Sequence, residues 1–213
     1  MPAKFTYGLN SMKNPIIKQA IVFVTLAICA AFSAGVLFFD VVILKDQVKE
    51  ISATEIIQEL FLFATAALFF IHSRRQKTLR GGFILAAGFF GCMLIRELDA
   101  LFDLIHFGAW VYFASLLALY SLCWAAFTPK TTLQGLNALV ADDAFPVLLF
   151  GLVVILVFSR LMGLHYIWQA AIAGDNVRLV KNLVEEGTEL FGYSLCLLAA
   201  IRLCGGKKSF HDA

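Results

Sequence analysis

The chain has 213 residues, of which 61% are hydrophobic and 15% charged, and its mean hydropathy is +0.84. Soluble domains carry about a quarter charged residues, so this composition excludes a water-soluble globule as well as the disordered, collagen-like and coiled-coil classes. The formal net charge of +2 offers nothing to nucleic acid; the expected partners are membrane lipids, ions and other membrane subunits.

A bilayer core takes about 20 apolar residues per helix. Windows of that size predict an all-α polytopic integral membrane protein, a single domain over residues 1–213. Its six transmembrane helices are expected near 19–39, 56–73, 82–106, 109–128, 145–164 and 179–204. The first apolar run, Ala20 to Phe39, follows Lys4, Lys13 and Lys18. It is longer than the roughly 7 to 15 residues of a signal-peptide core and reads as a span. Between the second and third spans, Arg74, Arg75, Lys77 and Arg80 form a stop-transfer cluster suited to anionic lipid. Gly88 with Gly91, and the stripe Ala30, Ala31 and Ala34, read as surfaces for close helix packing. Trp110, Tyr112, Tyr166 and Trp168 form the aromatic belt of one interface. The connection from Pro129 to Asp143 has room for a short surface helix. The five cysteines (Cys29, Cys92, Cys123, Cys196 and Cys204) lack CxxC spacing and read as small packing residues.

Cytoplasmic loops retain Lys and Arg. On one side of a six-span chain lie Lys4, Lys13, Lys18, Arg74, Arg75, Lys77, Arg80, Lys130, Arg202, Lys207 and Lys208; on the other lie only Lys45, Lys49, Arg178 and Lys181. Both termini are therefore expected to be cytoplasmic. Small size and short loops point to a bacterial inner membrane.

Asp40, Asp46, Glu50, Asp142, Asp143, Asp175 and Asp212 are read as loop or tail acids. The other eight acids fall in the spans or at their ends: Glu55 and Glu59; Glu97, Asp99 and Asp103; Glu185, Glu186 and Glu189. With a rise of about 1.5 Å per residue, Asp99, Glu59 and Arg160 sit roughly 7 Å outside the bilayer centre and Glu189 roughly 3 Å outside it. Helical phase puts Arg96, Asp99, Asp103 and His106 on one stripe, and Asn182, Glu185, Glu186, Glu189 and Tyr193 on another. Glu97 is out of phase with the first stripe and faces a neighbouring helix. A charge turned to lipid costs about 2.5 to 3.5 kcal/mol at mid-membrane, so both stripes are expected to look inward.

Eight acids meet two embedded cations, Arg96 and Arg160, and two histidines, His106 and His165. The surplus negative charge needs protons, water or a bound cation. The most specific expectation is a divalent metal ion, Zn, Fe or Mn, held by Asp99, Asp103, His106, Glu185 and Glu189. Asp103-x-x-His106 with carboxylate pairs on other helices is similar in residue type and spacing to bundles that hold metals in their core. The chain departs from the ceramidase and progestin-receptor-like hydrolases in having six spans, not seven, and no His-x-x-x-His near its last helices.

The leading function is then a metal-dependent membrane enzyme acting on a lipid or lipid-linked substrate. Arg96 and Arg160 bind the substrate anion, and Glu59 and Glu186 move protons as catalytic groups. The alternatives are a cation- or proton-coupled transporter, and a non-catalytic membrane subunit ordered by salt bridges such as Arg96 to Asp99 and Arg160 to Glu97 or Glu189. No nucleotide is expected, since no phosphate-loop motif occurs. The acidic surroundings of His106 and His165 oppose haem propionates.

Overall fold

The computed structural model describes residues 14–44, 52–172 and 176–205. Lys4, Lys13, Lys45, Lys49, Lys207, Lys208, Asp46, Glu50, Asp175, Asp212 and His211 lie outside them. The described residues are all helical, without a strand. They form α1 (Pro15–Phe38), α2 (Ala53–Arg75), α3 (Arg80–Glu97), α4 (Asp99–Asp103), α5 (Trp110–Phe127), α6 (Pro129–Val140), α7 (Phe145–Val153), α8 (Ser159–Met162), α9 (His165–Ala171) and α10 (Val177–Gly205). Six stretches are long and apolar enough to cross a membrane: Pro15–Leu44, Ala53–Arg75, Lys77–Glu97, Trp110–Phe127, Phe145–Met162 and Val177–Gly205.

The third stretch corrects the expected span of 82–106. It ends at Glu97, because Leu98 leaves helical geometry with ψ at 19° and the chain restarts as the single turn α4. Gly108 then turns the chain with φ of 77°, a conformation that only glycine adopts without strain. The connection from Pro129 does hold a short helix, α6.

Short connections make successive long helices antiparallel, which sorts their ends. One end of the bundle carries Arg74, Arg75, Lys77, Arg80, Lys130 and Arg202, together with a pair between Lys18 Nζ and Asp143 Oδ2 at 3.1 Å. The opposite, acidic end carries Asp40, Glu55, Glu59, Glu97, Asp99, Asp103 and the start of α10.

α10 is the hub. It packs against α1, α2 and α7, and its Leu190, Tyr193, Leu195, Cys196, Ala199 and Ala200 are almost wholly buried. Leu62 and Phe69 of α2, Phe83 and Phe90 of α3, and Leu148 and Ile155 from the α7 side complete one apolar core. α3 packs on α2, α5 and α6. Small residues let these helices approach. A Cβ on Gly82 would meet backbone atoms of Gly135 and Leu136 on α6 at 2.5 to 2.7 Å, and one on Gly151 would meet Gly192 O at 2.9 Å. Gly88 and Gly91 face Ser121 and Leu117 of α5 in the same way, as expected. Ala30, Ala31 and Ala34 instead lie on the exposed side of α1, so that stripe makes no packing surface within the chain.

Two π-helical segments adjust helix phase: Phe39–Leu44 after α1, and Val154–Phe158 between α7 and α8. A π turn widens the helix by a residue and rotates everything beyond it. The first brings Asp40 inward beside the start of α2, and the second brings Ser159 and Arg160 to α10.

The glycine notch between α3 and α6 is directly testable. Gly82→Ala sets a methyl against backbone that cannot swing aside, and is expected to lower stability by about 1 to 3 kcal/mol. Gly35→Ala on α1, where nothing lies within 4 Å, should leave the melting temperature unchanged or slightly raised. Thermal melting of the detergent-purified variants checks both.

Candidate functional site

At the acidic end, the first half of α10 carries Lys181, Glu185, Glu186 and Glu189, whose partners come from α2 and α8. Glu189 is 2% exposed, so its carboxylate has to find partners inside the protein. Arg160 Nη2 lies 2.5 Å from Glu189 Oε1, and Ser159 Oγ lies 3.1 Å from the same oxygen while donating to Ile155 O at 2.5 Å. Arg160 Nη1 also reaches Glu185 Oε1 at 3.3 Å, and Lys181 Nζ takes Glu185 Oε2 at 2.9 Å from one turn back on the same helix. The Glu185 carboxyl lies in the space a side chain at Gly163 would fill, 2.6 Å from an ideal Cβ there.

Two further acids join from other directions. Gln58 of α2, 1% exposed, donates through Nε2 to Glu186 O at 2.9 Å and to Glu186 Oε2 at 3.1 Å; its own Oε1 is buried with no hydrogen-bond partner. Glu97, the last residue of α3, accepts a 3.0 Å hydrogen bond from the Tyr193 hydroxyl. Glu97 is within electrostatic reach of Glu59, Glu186, Glu189 and Arg160. Helices 2, 3, 8 and 10 thus bring Glu97, Glu185, Glu186 and Glu189 together around Arg160 and Lys181, with Glu59 on the far side of Glu97.

A cleft of about 280 Å³ opens beside this cluster, between α3 and the α7–α8 segment. Arg96, Glu97, Arg160 and Tyr193 form its polar wall; Met93, Ile155 and Leu156 form its apolar one.

The other expected ligands lie elsewhere. Asp99 begins α4 and pairs with Arg96 at 3.2 Å. Asp103 ends α4 and accepts from Gly108 N at 2.8 Å, which closes the turn to α5. His106 and His165 are exposed. α4 rests on α3 and α5, away from the α10 acids. The stripe Arg96–Asp99–Asp103–His106 is therefore broken: it required one continuous helix, and the helix stops at Glu97. Among the described residues no group of three or more His, Cys, Asp or Glu side chains stands in a metal-holding arrangement.

Asp40, read from sequence as a loop acid, is fully buried. It accepts from Ala53 N at 3.0 Å, Thr54 N at 2.8 Å and the Thr54 hydroxyl, while Ser52 Oγ accepts from Glu55 N at 3.2 Å. The exposed donors at the start of α2 are thereby satisfied, and a negative charge meets the positive end of the helix. The Ser52-x-x-Glu55 signature marks this cap in the sequence. Ser159 and Lys181 were also missed as site residues; the i, i+4 spacing of Lys181 and Glu185 was the available signal.

Comparison with protein-family models, with curated proteins and with solved structures finds no match.

These bonds set the cost of losing each partner. Arg160→Met leaves Glu189 buried against a serine alone, and is expected to cost up to about 3 kcal/mol, at the low end for a broken buried pair because the guanidinium is half exposed. Arg96→Met, on an exposed pair, should cost under about 1 kcal/mol. The double variant Arg160→Met/Glu189→Leu should recover most of the first loss in the same melting assay. Asp40→Ala removes the cap of α2 and is expected to cost about 1 to 2 kcal/mol, which Asp40→Asn partly restores.

Proposed function

We infer that the chain is a six-span membrane protein whose acidic cluster binds protons or small cations, and that it works as a cation- or proton-coupled transporter. Both termini lie on the cytoplasmic side in this reading, which turns the acidic end to the opposite face of the cell membrane, a bacterial inner membrane. The observation that carries the reading is the unequal meeting of charges around α10. Four carboxylates, from Glu97, Glu185, Glu186 and Glu189, meet the cations Arg160 and Lys181, and the third cation nearby, Arg96, is paired with a further acid, Asp99. Crowded negative charge around the buried Glu189 is costly, so the cluster gains stability by taking up positive charge. The buried, unpartnered Gln58 Oε1 supports the same conclusion, since it is an acceptor set beside Glu186 that an incoming cation or hydronium would satisfy.

Arg160 supplies the coupling element. It sits beyond a π turn and divides its guanidinium between Glu185 and Glu189. When Glu189 is charged, Arg160 holds α8 against α10. When Glu189 takes a proton, the short Arg160 contact loses its Coulombic attraction, and the guanidinium is free to turn to Glu185 or to the cleft. Loading of the carboxylates thereby alters how α8 meets α10.

The metal-dependent enzyme expected from sequence has less support, because Asp99 and Asp103 are engaged at α4 and the following turn, apart from Glu185 and Glu189, and His106 is exposed. Elemental analysis separates the two readings. Stoichiometric Zn, Fe or Mn in purified protein, lost in Asp103→Ala, would restore the enzyme.

For the transporter, purified protein in liposomes should move protons or monovalent cations down an imposed gradient, followed with a pH-sensitive or ion-sensitive dye. Glu189→Gln and Glu186→Gln should each reduce the flux at least about tenfold while the protein still folds, whereas Asp103→Asn should leave it near wild type. No flux from wild-type protein of intact melting behaviour would favour a non-catalytic membrane subunit.

A further inference from the structure

The cleft between α3 and the α7–α8 segment has chemistry of its own. Its two guanidiniums are accessible, with 45% of the Arg96 side chain and 48% of the Arg160 side chain exposed, and the Glu97 carboxylate lies on the same wall. Glu97 accepts one bond from Tyr193, and a carboxylate has room for about four. Each guanidinium already has acid neighbours: Asp99 for Arg96, and Glu185 with Glu189 for Arg160. A purely anionic ligand would therefore enter a region of net negative charge. A group with a phosphate for the two arginines and an ammonium for Glu97 would leave the local charge unchanged while using all three.

The position of the cleft points to the source of that group. Arg96 is one residue, and Arg160 two residues, from the end of its long apolar stretch, Lys77–Glu97 and Phe145–Met162. Arg96 also lies 5.7 Å from the centre of the Trp110 ring, an interface-type neighbour. Those ends stand at the depth of lipid headgroups. The apolar wall runs toward the middle of the helices, and Leu156 on its rim is half exposed on the outside of the bundle. About 280 Å³ is near the lower bound for a small-molecule site, enough for a headgroup while acyl chains remain outside along the helices.

We propose that this cleft binds a membrane phospholipid with a primary-amine headgroup, entering sideways from the bilayer, its phosphate between Arg96 and Arg160 and its ammonium on Glu97. As the cargo or regulator of the coupled transporter, the lipid rests on that reading; the binding itself does not. Arg160 connects the two, because one guanidinium meets both the cleft and Glu189.

The test uses full-length protein in a neutral maltoside detergent and two short-chain lipids, dihexanoyl-phosphatidylethanolamine and dihexanoyl-phosphatidylglycerol, with binding read as a concentration-dependent rise in Tm. The amine lipid is expected to bind wild-type protein more tightly than the glycerol lipid. Arg96→Gln, an exposed position that keeps the fold, should weaken both lipids about tenfold. Glu97→Gln should weaken the amine lipid alone and so narrow or reverse the preference. Glu186→Gln, which stops coupled flux, should bind as wild type does, so a transporter that fails in liposomes leaves this result unaffected. Equal or tighter binding of the glycerol lipid, or no change of preference in Glu97→Gln, overturns the amine contact. Equal binding of water-soluble phosphoethanolamine overturns the lipid as the source. Absence of binding by either lipid overturns the site.

Discussion

The contact between Arg160 and the buried Glu189 is the constraint around which the acidic end is arranged. A carboxylate that is 2% exposed persists in an apolar bundle when hydrogen-bond donors, a cation or a proton accompany it, and for Glu189 that partner is Arg160. Holding a guanidinium against it places demands on the chain on both sides. The π segment Val154–Phe158 turns Ser159 and Arg160 toward α10, Gly151 and Gly192 bring the two helices close, and Gly163 leaves space for Glu185. Three otherwise separate irregularities are explained by one electrostatic requirement.

The same requirement divides the molecule into unlike halves. The basic end holds cations such as Arg80, which stacks on Trp124 at 4.6 Å. The acidic end draws its side chains inward from several helices, because none of them can be satisfied on its own helix alone. Asp40 solves the problem differently from Glu189. It is fully buried too, yet its partners are the backbone donors of α2, so it is a structural cap, where Glu189 is met by the side chains of Ser159 and Arg160.

Much of this architecture was legible in the sequence. Six apolar stretches follow from hydropathy because the lengths they need are set by bilayer thickness, and the pairs Arg96–Asp99 and Arg160–Glu189 follow from helical phase and depth. Glu97 was correctly set apart from the Arg96 stripe and does meet a neighbouring helix, through Tyr193. What failed was the assumption of unbroken helices. Asp103 and His106 align with Arg96 only if α3 continues past Leu98, and periodicity contains no signal for that break. The two π turns are equally invisible to a fixed angle per residue, which is why Ser159 and the inward position of Asp40 escaped notice.

The central position of α10 has a bearing on how the protein is made. Its side chains complete the core begun by Leu62, Phe69, Phe90 and Leu148, and it supplies the partners of Gln58, Glu97 and Arg160, yet it is translated after all of them. Until it emerges from the ribosome, a nascent chain has to carry those polar groups without their α10 partners. Packed pairs of earlier helices, such as α3 with α5, therefore precede the one element that joins α1, α2 and α7.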